Sequence, residues 1–211
     1  MADDHEVVRR GLQVLLEAQP GWEVSAEAAD GREAVEKAKE LKPDVVILDV
    51  TMPILNGLEA TRQILKADPK ARVVILTVHE SDQVVSEVLD AGARGYVLKS
   101  DAGRDLVAAV EAVCRNNSFF TSKVAEKVLD GYLKAESRSG TEEPSRDRLT
   151  PREREIVQLL AEGSSSKEVA AALGLSVKTA ETHRSNIMRK LGLHTTSDLV
   201  RYAVRNSIIE A

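Results

Sequence analysis

Short aliphatic runs alternate with helical patterns through the first half of this 211-residue chain. Apolar residues at spacings of three and four indicate helices that bury one face, and they occupy residues 6–18, 31–41, 57–68, 81–93 and 103–115. The runs of strand-forming residues are four, at 22–28, 44–48, 72–77 and 95–98. Strict alternation of strand and helix predicts an α/β fold, a parallel sheet with helices on both faces.

The alternation fades after residue 120. Residues 122–135 have the pattern of one more amphipathic helix, and residues 136–148 are polar and aperiodic, which is typical of a linker. Beyond the linker, four helical patterns separated by glycines indicate a small all-α domain. We therefore predict a first domain at 1–120, a helix and linker at 121–148, and a second domain at 149–211.

Composition narrows the possible classes of protein. The net charge of −5 taken alone argues against nucleic-acid binding, but residues 149–211 carry nine Lys or Arg against seven Asp or Glu. A single cysteine excludes an intrachain disulfide, and no apolar run approaches the roughly 20 residues that span a bilayer. We expect a cytoplasmic protein without a membrane segment.

Asp49 directly follows the aliphatic run 45–48, at the carboxyl end of a predicted strand. Ligands of open parallel sheets bind at this edge, so Asp49 should emerge at the rim without being buried. Four more polar residues lie at element ends on the same edge: Asp3, Asp4, Thr77 and Lys99. Three converging carboxylates predict a bound cation such as Mg²⁺, and a lysine with a hydroxyl can bind a transferring phosphoryl group.

These residues, with Met52, Pro53, Gly57 and Tyr96, resemble the full motif set of two-component receiver domains. The C-terminal helices resemble the LuxR-type helix-turn-helix of the NarL/FixJ subfamily of bacterial response regulators. The resemblance covers nearly the whole chain. It implies a flavodoxin-like, doubly wound parallel sheet followed by a small all-α helix-turn-helix domain.

The resemblance makes Asp49 the phosphoacceptor. It implies a Mg²⁺ ion held by Asp3, Asp4, Asp49 and the backbone carbonyl of Thr51. Thr77 and Lys99 would contact the phosphoryl oxygens, Tyr96 would change rotamer, and Thr51 and His79 would tune the lifetime of the phosphate. The residues alone leave other interpretations open, since Lys99 could be a solvated lysine, Thr77 an ordinary strand residue and Tyr96 a half-buried ring with its hydroxyl in water.

The N-terminus departs from the receiver pattern. Receiver domains normally open with a short aliphatic strand before the acidic pair, whereas only Met1 and Ala2 precede Asp3. Without that central strand, buried backbone groups on both neighbours would stay unpaired, at about 1–3 kcal/mol each. We therefore expect the natural chain to begin a few residues upstream, and metal binding by Asp3 and Asp4 depends on that strand.

The C-terminal helices carry clear start signals. Thr150 and Glu153 around Pro151 form a capping-box pattern, and Ser176 with Thr179 can cap the helix 177–191. In a helix-turn-helix the second helix enters the major groove. Its apolar side is Ala180, Ile187 and Leu191, and its outward side holds donors and acceptors: Lys178, Glu181, Thr182, Ser185 and Arg189.

The resemblance assigns DNA contacts along this helix. Base contacts would come from Glu181, Thr182 and Ser185, and backbone contacts from Lys178, Thr179, His183, Asn186 and Lys190. Several family members have a lysine where Glu181 stands. A glutamate accepts from cytosine but repels phosphates. We therefore expect the operator to differ from those of the family members with a lysine at this position. The alternative is a solvated helix face in a small bundle that binds protein.

So few basic residues predict weak binding by a monomer, and therefore dimers on paired half-sites. By resemblance the dimer helix is 197–204, through Leu199, Val200, Ala203 and Val204, and packing on its own domain is the competing use. The partners would be a sensor histidine kinase, double-stranded DNA and, when active, a second copy of the chain.

These expectations describe a phosphorylation-switched transcriptional regulator and not an enzyme, apart from autophosphorylation and autodephosphorylation at Asp49. One alternative is a DNA-binding regulator whose first domain is a phosphorylation-independent dimer scaffold. A flavodoxin-like phosphatase with Asp49 as nucleophile is another, and the helix-turn-helix argues against it.

Overall fold

The computed structural model describes residues 1–78, 80–121, 124, 149–206 and 208–209. The chain divides into two compact units, Met1–Ser139 and Gly140–Ala211. His79, the predicted linker and nearly all of the predicted helix at 122–135 lie outside the described residues.

From α2 onward, the first unit alternates helices with parallel strands, as the sequence predicts. The helices are α1 (Glu6–Glu17), α2 (Gly31–Leu41), α3 (Gly57–Ala67), α4 (Asp82–Ala91) and α5 (Ala102–Cys114). The strands are β1 (Val46–Asp49), β2 (Val73–Thr77), β3 (Gly95–Leu98) and β4 (Phe119–Phe120), paired in that order. A short 3₁₀ turn, Lys99–Asp101, joins β3 to α5.

Both faces of this sheet are buried, which confirms the predicted α/β class. Residues of one parity, such as Leu48 and Ile75, pack with the residues of α2, α3 and α4. Those of the other parity, such as Val74 and Val97, pack with α1 and α5. Because side chains alternate across a strand, the nearly continuous aliphatic runs supply both cores.

The predicted strand at 22–28 is wrong for most of its length. Only Ala28 pairs, through an isolated parallel bridge to Ala2, which also bridges Leu48 of β1. Ala2 therefore lies between the two segments, and residues 22–25 have no neighbouring strand with which to form a ladder. Trp22, Val24 and Val45 line a cavity of about 670 Å³.

The order of these bridges identifies the point where the strand order reverses. Ala2 pairs with Ala28 on one side and with β1 on the other, and β2, β3 and β4 follow on the side of β1. Asp3 and Asp49 therefore follow neighbouring paired segments at the carboxyl edge of the sheet. This is the edge at which such folds bind ligands.

The second unit is helical in its described part. It contains α6 (Pro151–Ala161), α7 (Ser166–Leu173), α8 (Val177–Lys190) and α9 (Thr196–Arg205) around one apolar core. The predicted capping box of Thr150 and Glu153 is confirmed, as is the Ser176 cap, whose oxygen accepts from Thr179 N at 3.1 Å. Gly174 ends α7 at φ 64°, a left-handed value that favours glycine, and this allows the tight turn into α8.

Among the described residues, no helix is long and apolar enough to cross a membrane.

Candidate functional site

Asp49 is the last residue of β1, and its carboxylate lies below the surface. Only 3% of the residue is exposed, so the expectation that it emerges at the rim is wrong. The cause is the segment after β1, which folds back so that Gly57 N donates to Val50 O at 2.8 Å. This return places the first turn of α3 against the backbone of Asp49.

Lys99 lies between two buried carboxylates. Its Nζ donates to Asp49 Oδ2 at 2.7 Å and lies 2.8 Å from Asp3 Oδ2. The lysine side chain is 16% exposed, which excludes the interpretation of Lys99 as a solvated surface residue. Asp3 follows the paired residue Ala2, Asp49 ends β1 and Lys99 follows β3, with β2 between the two strands. All three residues lie at the carboxyl edge of the sheet, and this edge brings them together.

The charges in this cluster perturb one another. Burial, with a smaller contribution from the Asp3 carboxylate, raises the pKa of Asp49 from its ordinary value of 3.8 to about 6, against the hydrogen bond from Lys99. Burial lowers the pKa of Lys99, but its contacts with Asp3 and Asp49 outweigh this, and the net pKa is raised. A charged ammonium thus holds together two carboxylates that would otherwise repel each other.

The acidic pair before α1 is asymmetric. Asp3 is 1% exposed and its Oδ1 accepts from His5 N at 2.9 Å. Asp4 is more exposed and pairs with Nδ1 of His5 at 2.8 Å. One potential ligand atom from each of these three residues lies within 4.8 Å of the others. Sequence reasoning missed His5, whose only signal was its position directly after the two aspartates.

Observed side-chain chemistry fits a hard divalent cation at this place. Asp3 Oδ2 is buried, and among the described residues its one close contact is the ion pair with the Lys99 ammonium at 2.8 Å. Carboxylate oxygens are ligands that Mg²⁺ prefers. The buried Asp3 and Asp49 and the exposed Asp4 supply them here. Asp3, Asp4 and Asp49 together carry more negative charge than the single ammonium of Lys99 neutralises.

Thr77 and Tyr96 are fully buried, at 0% exposure. Thr77 ends β2 beside Leu98, and Tyr96 pairs with Ile75 two residues earlier on the same two strands. Burial, with a smaller contribution from Glu80, raises the pKa of the Tyr96 hydroxyl to about 12. The interpretation of Tyr96 as a half-buried ring with its hydroxyl in water is therefore wrong.

Thr51 follows Asp49 closely and is nearly buried, at 9% exposure. Its backbone N–H donates to the Asp49 carboxylate and lowers the pKa of that group in part. Thr51 therefore belongs to the pocket by its backbone.

In the second unit, α8 presents the face that the sequence predicts. Ala180 and Ile187 are buried at 1% and 0% exposure and Leu191 is partly buried. The outward residues are all exposed: Lys178, Thr179, Glu181, Thr182, Ser185, Asn186 and Arg189. His183 is partly buried beside the apolar side.

Several of these side chains already have internal partners. Thr182 Oγ1 donates to Lys178 O at 2.8 Å, and Arg189 Nη2 donates to Asn186 Oδ1 at 3.0 Å. Lys190 is partly buried and pairs with Glu153 Oε2 at 2.7 Å. Sequence reasoning missed this ion pair, because the two residues are 37 positions apart.

The structure divides the four residues predicted for the dimer helix. Leu199 and Ala203 are buried in the core of their own unit at 1% and 0% exposure. Val200 and Val204 are partly exposed. Leu199 and Ala203 therefore pack within their own domain. Of the four predicted residues, only Val200 and Val204 remain partly accessible to a partner.

Two family models match the chain. Residues 1–111 match the response regulator receiver domain, and residues 147–203 match the bacterial regulatory proteins of the luxR family.

Two curated proteins of similar length match nearly the whole chain. The transcriptional regulatory protein LiaR of Bacillus subtilis (strain 168) is 39% identical over 209 residues, which cover 99% of this chain and 97% of LiaR. The oxygen regulatory protein NreC of Staphylococcus aureus (strain MRSA252) is 38% identical over 213 residues, covering 100% of this chain and 98% of NreC.

Two solved structures are also similar to this chain. A LuxR-family two-component response regulator from Aurantimonas sp. SI85-9A1 is 39% identical with a TM-score of 0.59, over 63% of this chain and 94% of that one. RcsB from Salmonella enterica serovar Typhimurium, bound to promoter rprA in the presence of phosphomimetic BeF₃⁻, is 29% identical with a TM-score of 0.60, over 95% of each chain.

Proposed function

The chain belongs to the two-component response regulators with a LuxR-type DNA-binding domain, and we propose that phosphorylation of Asp49 by a sensor histidine kinase switches its binding to DNA. The observation that carries this proposal is the buried cluster of Asp49, Lys99 and Asp3. A carboxylate at a sheet edge, held by an ammonium and facing a second carboxylate, is suited to accept and hold a phosphoryl group.

The transfer is a displacement at phosphorus. An oxygen of the ionised Asp49 carboxylate forms a bond to phosphorus, and the bond from phosphorus to the imidazole nitrogen of the kinase phosphohistidine breaks. Lys99, already 2.7 Å from Asp49, then pairs with the new phosphoryl oxygens, and Thr77 donates to them. Hydrolysis of the resulting acyl phosphate returns Asp49, so autophosphorylation and autodephosphorylation are the only chemistry we assign.

Mg²⁺ would be held by the carboxylates of Asp3, Asp4 and Asp49 and by the Thr51 carbonyl. When bound, the ion neutralises negative charge between the carboxylates and the incoming phosphate. Thr51 and His79 would set the lifetime of the phosphate, His79 being outside the described residues.

Thr77 and Tyr96 are the residues that would communicate the phosphorylated state. Both are buried on adjacent strands, so a movement of Thr77 toward a phosphoryl group changes the space available to the Tyr96 ring. The resulting equilibrium between two states needs a few kcal/mol of preference from the phosphoryl group.

DNA binding is assigned to α8 within a second domain at 149–211, after a receiver domain at 1–120 and a connecting segment at 121–148. Base contacts would come from Glu181, Thr182 and Ser185. Contacts with the DNA backbone would use the rest of the exposed face and its flanks: Lys178, Thr179, His183, Asn186, Arg189 and Lys190. Binding to chromosomal DNA requires the protein to act in the cytoplasm.

Active molecules would be homodimers, in which Val200 and Val204 supply the accessible apolar surface of α9. RcsB dimers bound to DNA support this assignment, at 28% identity over 95% of this chain. Paired half-sites would compensate for the modest positive charge of one domain.

Intact-mass spectrometry tests the phosphoacceptor directly. The protein and its Asp49→Asn variant are incubated with MgCl₂ and a small phosphodonor such as acetyl phosphate. We expect one phosphoryl group on the parent and none on the variant. No addition to either protein, or equal addition to both, would contradict the assignment of Asp49.

A further inference from the structure

Arg9 reaches the acidic pocket from the first half of α1. Its Nη1 donates to the backbone carbonyl oxygen of Asp3 at 2.7 Å, and its Nε donates to Glu27 Oε2 at 3.1 Å. The arginine side chain is only 15% exposed. Two partners restrict the position of this guanidinium, because its donors form a rigid fork.

Hydrogen bonds within the described part of the chain satisfy every polar group of Asp3 except Oδ2, which pairs with the Lys99 ammonium at 2.8 Å. Its N–H donates to Ala28 O at 3.2 Å, its carbonyl oxygen accepts from Arg9, and its Oδ1 accepts from His5 N. The remaining atom is Oδ2, which is buried and points to the shared space with Asp49 and Lys99. The direction of Oδ2 therefore depends on contacts made by the backbone of Asp3.

Of the two hydrogen bonds made by the backbone of Asp3, the one with Arg9 comes from a side chain. The carbonyl that it holds lies between Asp3 and Asp4, so the same contact restrains the peptide that joins the two carboxylates proposed to bind Mg²⁺. Glu27 lies just before Ala28, whose N–H and C=O pair with Met1 and Asp3. Arg9 thus connects α1, the acidic pair and the neighbouring segment of the sheet.

We propose that Arg9 is a positioning residue for the metal site: its bond to the Asp3 carbonyl, oriented by Glu27, holds the Asp3 and Asp4 carboxylates in the arrangement that binds Mg²⁺. This inference rests on the proposed function, because it assigns a role toward the ion that phosphorylation of Asp49 uses. Arg9 itself touches neither the ion nor the phosphoryl group.

Arg10 is a natural control, since it is the next residue of the same helix. It pairs with Glu6 in an exposed i,i+4 contact, with 75% of its side chain in solvent. Substitution of either arginine removes one positive charge from α1, and only Arg9 contacts the acidic pair.

Three variants of the full chain test the proposal: Arg9→Met, Arg9→Lys and Arg10→Met. Mg²⁺ binding is measured by titration calorimetry with MgCl₂ alone, and thermal unfolding is followed with EDTA present. Because residues that orient metal ligands affect affinity strongly, we expect the Kd of Arg9→Met for Mg²⁺ to rise on the order of tenfold. Arg9→Lys keeps one donor and should recover part of this loss, and Arg10→Met should match the parent.

Phosphorylation by acetyl phosphate provides the second readout. At saturating MgCl₂ the yield for Arg9→Met should approach that of the parent, so that the half-saturating Mg²⁺ concentration rises while the maximum does not fall. A lower unfolding temperature with an unchanged Kd would overturn the proposal by making Arg9 purely structural, as would equal effects of Arg9→Met and Arg10→Met. A parent that neither binds Mg²⁺ nor is phosphorylated would overturn the proposed function, and this inference with it.

Discussion

A Cβ atom at Gly57 would lie 1.8 Å from the carbonyl oxygen of Asp49. The first residue of α3 therefore packs directly on the backbone of the proposed phosphoacceptor, at a distance that no side chain tolerates. Gly57 also donates its N–H to the carbonyl oxygen of Val50. This hydrogen bond holds Gly57 against the backbone of Asp49. The position of the Asp49 carboxylate depends on this close approach.

Gly57→Ala should displace the end of β1. We expect a loss of about 1–3 kcal/mol in the free energy of unfolding, since the added methyl group forces a backbone shift. Phosphorylation should slow at the same time. Urea unfolding and an intact-mass time course with acetyl phosphate measure the two effects.

Gly11→Ala is the matched control, because a Cβ there meets nothing within 4 Å. Gly11 lies in the middle of α1, where alanine favours the helix by about 0.5–1 kcal/mol. Equal destabilisation by both substitutions would contradict a specific role for the Gly57 contact.

Asp49 should make the stability of the folded protein depend on pH. Its folded pKa is raised to about 6 from 3.8, so the folded state binds the proton more tightly than the unfolded chain does. Stability from this group is complete below about pH 4 and is lost as the pH rises through 6. Asp49→Asn removes that loss and should be more stable than the parent by about 3 kcal/mol at pH 8.

The measurement is urea unfolding of both proteins at pH 4, 5, 6 and 8, with EDTA to remove divalent ions. The difference between them should grow with pH and become constant above pH 7. A difference that stays the same at every pH would show that Asp49 does not titrate in this way.

Glu153 should restrain Lys190 from contact with DNA. Glu153→Gln breaks the 2.7 Å ion pair but keeps an oxygen that can accept from Thr150 N. Because the released lysine can neutralise one phosphate, DNA affinity should rise and the slope of log K against log salt should steepen by roughly one.

Glu168→Gln controls for the change in charge. Glu168 occupies the same place in the capping box of α7, where its Oε2 accepts from Ser165 N at 2.7 Å. It forms no ion pair with lysine in the part of the chain that is described. Fluorescence anisotropy at several salt concentrations compares the two variants, and equal slopes would mean that only net charge matters.

Glu181 should select cytosine. It is the one acidic residue of α8 and is exposed on its outer face. In the major groove cytosine offers only a donor at N4, whereas adenine also presents the N7 acceptor that would repel a carboxylate. Selection from a random duplex pool should enrich cytosine at one position of each half-site.

Glu181→Lys should lose this preference and favour guanine there, since lysine donates to O6 and N7. Its overall affinity should increase, because a repulsion with phosphates becomes an attraction. Recovery of the same bases by the parent and by Glu181→Lys would remove Glu181 from the reading surface.

The sequence predicts the sheet and the members of its acidic cluster well, for a physical reason. Parallel strands end at one edge, so Asp49, Thr77 and Lys99 must meet once the strands are recognised. Helix starts were equally clear, since a capping box such as Thr150 with Glu153 is a local contact.

Features that depend on distant partners were not predictable. The segment 22–28 has the composition of a strand, but Ala28 is its one residue in a β-bridge. Composition cannot show whether a neighbouring strand is present. β4 has only two residues, too few to show a period. Arg9 contacts Asp3 and Glu27, and its own sequence neighbourhood is that of an ordinary helix.

Residues that look alike in the sequence also differ in burial. Leu199 and Val200 belong to one apolar stripe of α9, yet the first is in the core and the second is partly exposed. Asp3 and Asp4 are adjacent carboxylates with very different exposure. Such differences depend on the packing of the whole domain, and a local pattern cannot resolve them.

DNA binding with and without phosphorylation tests the central claim most directly. A fluorescent duplex recovered by selection with the parent is titrated with the parent and with Asp49→Asn, each before and after treatment with MgCl₂ and acetyl phosphate. We expect treatment to lower the Kd of the parent about tenfold, which is about 1.4 kcal/mol, and to leave Asp49→Asn unchanged. Equal stimulation of both proteins, or no change in a parent shown by mass to be phosphorylated, would contradict a switch at Asp49.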